Sequence, residues 1–227
     1  MENRCNQPSG DLSARLKQIL ALLEEAYPNA TTDLKYSTPF ELTVAVILSA
    51  QSTDAQVNKI TEKLFKKFRT PEDFARLTSE ELAEHIKGCG LFRNKSKFIV
   101  EASRILVEDY QGKVPEVREQ LEKLPGVGRK TANVVLGVAF GQHTFPVDTH
   151  VHRVARRLGL ASGKTPELTE KELCTLIPPE LWQPLHHQII QHGRKVCDAR
   201  RPRCAECFLK NHCPEAAKKG EISCISF

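Results

Sequence analysis

The chain has 227 residues, 40% of them hydrophobic and 27% charged, which suits one domain or two small ones and excludes a disordered chain. Its longest unbroken apolar run is five residues, VAVIL at 44–48, far short of the roughly 20 needed to cross a bilayer. The formal net charge of +5 points weakly to an anionic partner, and the opening MENRCNQPSGDLSARL has no apolar signal core, so a cytoplasmic location is expected.

The elements read almost entirely as helix. In DLSARLKQILALLEEAY, Leu12, Leu16, Ile19, Leu20 and Leu23 recur at helical spacing behind a candidate Asp11 cap. TPFELTVAVILSA is apolar on most faces and predicts a buried core helix. TDAQVNKITEKLFKKF is amphipathic. Thr70-Pro71 pairs a cap with proline at the first helical position. Both 78–81 (TSEE) and 169–172 (TEKE) fit a capping box, in which side chains satisfy the open amides of a first turn. KSKFIVEASRILVEDY is a further amphipathic helix, ended by Gln111-Gly112. Later helices are expected over 116–123, 130–140, 149–158, 169–177 and 180–191. No sustained period-2 alternation is present, so the fold class is all-α.

Between two of these helices lies LPGVGRKTANVV, 124–135, a glycine-rich turn that predicts a helix–hairpin–helix over about 116–141. Gly126 and Gly128 are expected to allow positive φ and close backbone approach. The amides of the following first turn, with the helix dipole, would hold one phosphate. A nucleotide-binding loop would need glycines five apart after a strand, and neither condition is met. A turn with glycines for packing only remains the plain alternative. Lys130 reads equally as a phosphate contact or as a nucleophile. Further on, Asp148 in PVDTHV reads first as a helix N-cap, since apolar helical spacing follows at Val151 and Val154.

Four of the eight cysteines crowd into CDARRPRCAECFLKNHC, spaced C-x6-C-x2-C-x5-C at Cys197, Cys204, Cys207 and Cys213. In a reducing compartment that pattern points to metal, either a [4Fe–4S] cluster or zinc. Residues 192–213 contain six basic and two acidic side chains and so carry +4 of the net +5. Arg200, Arg201 and Arg203 lie between the first two cysteines. They would present charge to nucleic-acid phosphates, balance the thiolates, or do both.

Taken together, LPGVGRKTANVV, an aspartate eighteen residues beyond its lysine, and the cysteine spacing resemble the endonuclease III family. These are iron–sulfur DNA glycosylases and abasic-site lyases of the helix–hairpin–helix superfamily. LSAQSTDAQVN (48–58) and GCGLFRNKSKFI (88–99) share the likeness, which runs over about 12–213. The resemblance implies a two-domain helix–hairpin–helix glycosylase fold with the active site in the cleft between the domains. A six-helix bundle would occupy 34–143, and a discontinuous helical domain with the [4Fe–4S] cluster would join 1–33 to 144–227. It implies that Lys130 attacks the sugar C1′, that a Schiff base and β-elimination follow, and that Asp148 is catalytic. It places Gln51 and Leu91 inside the duplex where the flipped base was, with His150 near a backbone phosphate. Gly126, Gly128, Arg129, Thr131, Arg200, Arg201 and Arg203 complete the expected DNA contacts. The expected partner is double-stranded DNA carrying a damaged base or abasic site, and the expected form is a nucleoid-associated monomer. Adenine glycosylases of the superfamily lack the lysine and carry a carboxylate in the helix that here runs without an acid from Glu41 to Asp54. Oxidised pyrimidines are therefore the expected substrates. A relative with mismatch or other base specificity, or a non-enzymatic iron–sulfur DNA-binding protein, is the alternative.

Overall fold

Proline and threonine set the starts of the helices, and apolar spacing sets which faces they bury. The structure, a computed structural model, describes residues 10–220, with side chains from residue 14. It is all-helical. Among the described residues there is no strand, only an isolated bridge between Lys87 and Cys89, and no helix is long and apolar enough to cross a membrane. The chain forms two compact units, Thr32–Pro146 and Met1–Thr31 with Val147–Phe227.

In the first unit, α2 (Pro39–Ser49) is the central element, with every residue from Phe40 to Leu48 buried. It packs against α3 (Asp54–Leu64), α6 (Phe92–Tyr110) and α8 (Arg129–Phe140). Such a helix is stable only when neighbours cover all its faces. The short helices α4 (Pro71–Ala75) and α5 (Ser79–His85) lie against α6. Phe74 is fully buried and meets Phe40 and Phe68 edge to face, at centroid distances of 5.2 and 6.0 Å. α7 is a single turn, Arg118–Leu121, shorter than the expected 116–123.

The second unit holds α1 (Gly10–Ala26), α9 (Thr149–Arg157), α10 (Pro166–Leu176), α11 (Trp182–Lys195) and α12 (Pro214–Lys218). α11 packs against both α1 and α9. Leu16, Ile19 and Leu23 bury the apolar stripe of α1, whereas the Leu12 side chain lies outside the described residues. Asp11 stands inside the helix rather than ahead of it, because α1 already includes Gly10. Arg15 is 5% exposed and donates to the carbonyls of Leu158 (2.9 Å) and His212 (2.7 Å). One guanidinium thus fastens the N-terminal helix to the end of α9 and to the cysteine loop.

The caps divide into one confirmation and one correction. Thr78 and Glu81 close a reciprocal capping box, with Glu81 N to Thr78 Oγ1 at 3.2 Å and Thr78 N to Glu81 Oε2 at 2.8 Å. The box expected at 169–172 does not form. α10 starts three residues earlier, capped by Thr165 with Pro166 at its first position. Thr169 is instead buried and bonded to His152 Nδ1 at 2.8 Å, and Glu172 accepts from the amides of Ser162 and Gly163. Thr78→Ala is expected to lower stability by about 1 kcal/mol. Denaturant unfolding checks this, with a lower midpoint at an unchanged slope.

Candidate nucleic-acid interface and metal centre

The hairpin turn is anchored by three apolar side chains, Leu121, Leu124 and Val127, all at most 4% exposed. Between them Gly126 has φ +80°, and a Cβ there would come within 3.0 Å of Phe98 Cβ on α6. This glycine is required by both conformation and space. Gly128 differs from the expectation. Its φ of −93° and ψ of 179° are extended, and an added Cβ would meet nothing within 4 Å. Nothing in the chain itself demands a glycine there. Gly128 is the N-cap of α8, and no side chain caps that end. Arg129 is exposed, while Lys130 and Thr131 are half-buried in the first turn.

Elsewhere in the same unit, two turns stand side by side. Gln51 follows α2 and Leu91 precedes α6, and both have left-handed backbone, φ 55° and 57°. Left-handed geometry is uncommon for residues with a Cβ and costs roughly 1–2 kcal/mol. Both side chains are exposed, and Leu91 is 57% exposed, an unusual fate for a leucine. The turns touch through the backbone of Gly90. Gly90 N donates to Ser52 Oγ at 3.0 Å, and a Cβ on Gly90 would stand 2.8 Å from the Gln51 carbonyl oxygen. Lys95, one turn into α6, reaches the same place; sequence reasoning missed it. Its signal was the core stripe 95, 99, 102, 106, which begins with a lysine.

In the second unit, Asp148 caps α9, its Oδ1 accepting from Val151 N at 2.8 Å. His150 lies half-buried in that first turn. Burial pushes its pKa down, Asp148 pulls it up, and Arg153 and Arg194 push it down, for a net lowering. Arg153 lies 3.2 Å from His150 Nδ1. A guanidinium only donates, so Nδ1 accepts and the neutral ring carries its proton on Nε2. Arg153 also donates to the carbonyls of Gly193 (3.0 Å) and Cys197 (3.0 and 3.2 Å). One turn on, Arg157 donates to the carbonyls of Asp198 and Ala199 and reaches Cys197 Sγ at 3.4 Å. Two arginines four apart on α9 therefore fasten the start of the cysteine loop, a role that their spacing alone did not announce.

Cys197, Cys204, Cys207 and Cys213 line one small cavity with Arg157, His192, Arg203 and Lys210, and all four are free thiols. Burial pushes the Cys207 thiol up to about 11 and raises Cys213. Thiolates there need positive charge to offset them, which a metal centre and the surrounding basic side chains provide. Among the described residues no three of His, Cys, Asp and Glu are grouped as a site for a single metal ion. A four-iron cluster asks something else, one thiolate per iron around a shared space, and this donor set fits it. At the loop's apex Asp198 Oδ1 accepts from the amides of Arg200 (2.9 Å) and Arg201 (3.0 Å), and both side chains are exposed. Arg203 is turned back, donating to the Lys195 carbonyl and lining the cavity.

Residues 44–179 match the HhH-GPD superfamily of base excision DNA repair proteins, and 197–213 match the iron-sulfur binding domain of endonuclease III. Endonuclease III of Bacillus subtilis (strain 168) is 50% identical over 208 residues, covering 90% of this chain and 95% of the relative. The chain belongs to the endonuclease III family. Two solved structures of endonuclease III agree, a non-covalent DNA complex and a trapped covalent DNA intermediate with an estranged adenine. Each has a TM-score of 0.87, at 44% and 45% identity, covering 92% and 91% of this chain and 98% of the other. The cofactor of this endonuclease III family member is a [4Fe–4S] cluster.

The fold of this endonuclease III family member demands glycine at 126 and makes no such demand at 128. Gly126→Ala is expected to lower the melting temperature by several degrees, from the left-handed strain and the Phe98 contact. Gly128→Ala should leave it unchanged yet weaken DNA binding. Thermal unfolding and a binding titration on the two variants check both outcomes.

Proposed function

We propose that this base excision repair enzyme, a DNA glycosylase and abasic-site lyase, removes oxidised pyrimidines from duplex DNA, with Lys130 as its nucleophile. The supporting observation is the place of Lys130, half-buried in the first turn of α8 and two residues after a glycine N-cap that no side chain closes. Only a neutral amine attacks carbon, and roughly one free lysine in a thousand is neutral at pH 7.4. A helix N-terminus and neighbouring cations disfavour the ammonium form.

The target nucleotide leaves the stack. Lys130 Nζ bonds to C1′ as the glycosidic bond breaks, and the base departs with a proton. The sugar opens to a Schiff base, a proton is lost from C2′, and the C3′–O bond breaks. Water then releases the lysine. Asp148 stabilises positive charge developing on the sugar and helps move these protons. Its cap bond to Val151 uses one carboxylate oxygen and fixes the side chain's direction. Gly126, Gly128, Arg129 and Thr131 hold a backbone phosphate, and His150 holds another. Gln51 and Leu91 fill the gap left by the extruded nucleotide, which accounts for an exposed leucine on a strained turn. Cys197, Cys204, Cys207 and Cys213 hold the cluster, whose contribution is to stiffen the loop that carries Arg200 and Arg201 to the phosphates. The enzyme works as a monomer.

Borohydride should trap the protein covalently on duplex DNA with an abasic site. Lys130→Gln should abolish trapping while leaving binding nearly intact; trapping at the wild-type level would remove Lys130 from the mechanism. Arg200→Ala and Arg201→Ala should each weaken binding at all sequences and reduce the salt slope by about one. Arg203→Ala, its guanidinium already bonded to the Lys195 carbonyl and beside Glu206, should change that slope least.

A further inference from the structure

We propose that Lys95 is a positioning residue for base extrusion, holding the turns of Gln51 and Leu91 in a single left-handed arrangement. The inference rests on the reading that those two side chains enter the duplex. Lys95 is only 4% exposed, although lysine is almost never buried without partners. Its ammonium has three N–H groups and three acceptors: the carbonyls of Leu48 (2.8 Å) and Ala50 (2.5 Å) and Ser52 Oγ (3.3 Å).

The acceptors explain the burial. Leu48 lies in the last turn of α2 and Ala50 caps its end, where carbonyls have no partner inside the helix and the dipole favours a cation. Ala50 and Ser52 are the two neighbours of Gln51, so one nitrogen grips the chain on both sides of it. Ser52 Oγ passes the hold onward by accepting the amide of Gly90, the residue before Leu91. The main chain of Lys95 completes the link, its N–H donating to the Leu91 carbonyl at 3.1 Å. Both strained residues are thus tied to one lysine, by its side chain and by its backbone. Strain of this kind persists only where the surroundings over-determine it.

The test uses cluster-loaded holoprotein and two substrates, a damaged pyrimidine in a duplex and an abasic site in a single strand, where no duplex has to be opened. A 2-aminopurine opposite the lesion reports estrangement of the partner base. Lys95→Met should keep the visible absorbance of the cluster and the trapping on the single strand. It should lose about tenfold or more in single-turnover base removal from the duplex, with a smaller 2-aminopurine rise. Ser52→Ala should show a weaker form of the same selective defect, and it decides the matter if Lys95→Met does not fold. In a Leu91→Ala background Lys95→Met should cost little more, because the lysine acts through the wedge. Equal losses on both substrates, full additivity with Leu91→Ala, or wild-type extrusion in Ser52→Ala would each overturn the proposal. Should Leu91→Ala and Gln51→Ala themselves leave extrusion unchanged, the wedge reading fails, and the proposal falls with it for that separate reason.

Discussion

Every α-helix leaves up to four amides and four carbonyls open at its two ends, and this chain multiplies the problem. Of its twelve described α-helices, eight have eleven residues or fewer, so much of the backbone lies near an end. Threonine answers most of the demand, capping α2, α3, α4, α5 and α10, and Asp148 caps α9. α7, α11 and α12 start without a side-chain cap, and so do two helices where function is proposed. α8 begins at a glycine without a side-chain cap, and α6 begins at a left-handed leucine without one. The far end of α2 is closed from outside by Lys95. The open start of α8 leaves its first amides free of a side-chain cap, and the end of α2 is held by a lysine from another helix.

This economy also decides what could be read in the sequence. The helical class, the buried α2 and the hairpin were legible because apolar period and glycine punctuation are local signals. The Thr70-Pro71 start was legible too, and the same dipeptide opens α2 at Thr38-Pro39 and α10 at Thr165-Pro166. At 169–172 the local rule misled, since Thr169 serves His152 from inside the helix, a tertiary demand that a four-residue pattern does not contain. The need for glycine at 126 depends in part on Phe98, which lies far upstream in the sequence, and no such neighbour stands at 128.

The cysteine loop shows the same limit in a different form. Spacing alone identified its four thiols, and charge counting identified its basic character. What orders it was not visible. Arg153 and Arg157 look like ordinary exposed cations of α9, yet they bind the carbonyls of Cys197, Asp198 and Ala199. Of the three arginines inside the loop, one is spent on the Lys195 carbonyl and two stand at the apex. A count of charge treats them alike; geometry separates them.

Arg15 has a consequence for the order in which the protein is made. Its bonds to Leu158 and His212 span 143 and 197 positions of sequence. The unit Thr32–Pro146 is continuous and closes on itself, so it can fold while the ribosome is still at work. The other unit cannot. Its helix α1 emerges before the continuous unit, with an apolar face and a guanidinium that must wait for the carbonyls of Leu158 and His212, made only after it. Until then α1 lacks α11, the helix it packs against, and the cysteine loop is at once the site of the cluster and a late fastening of a helix made well before it.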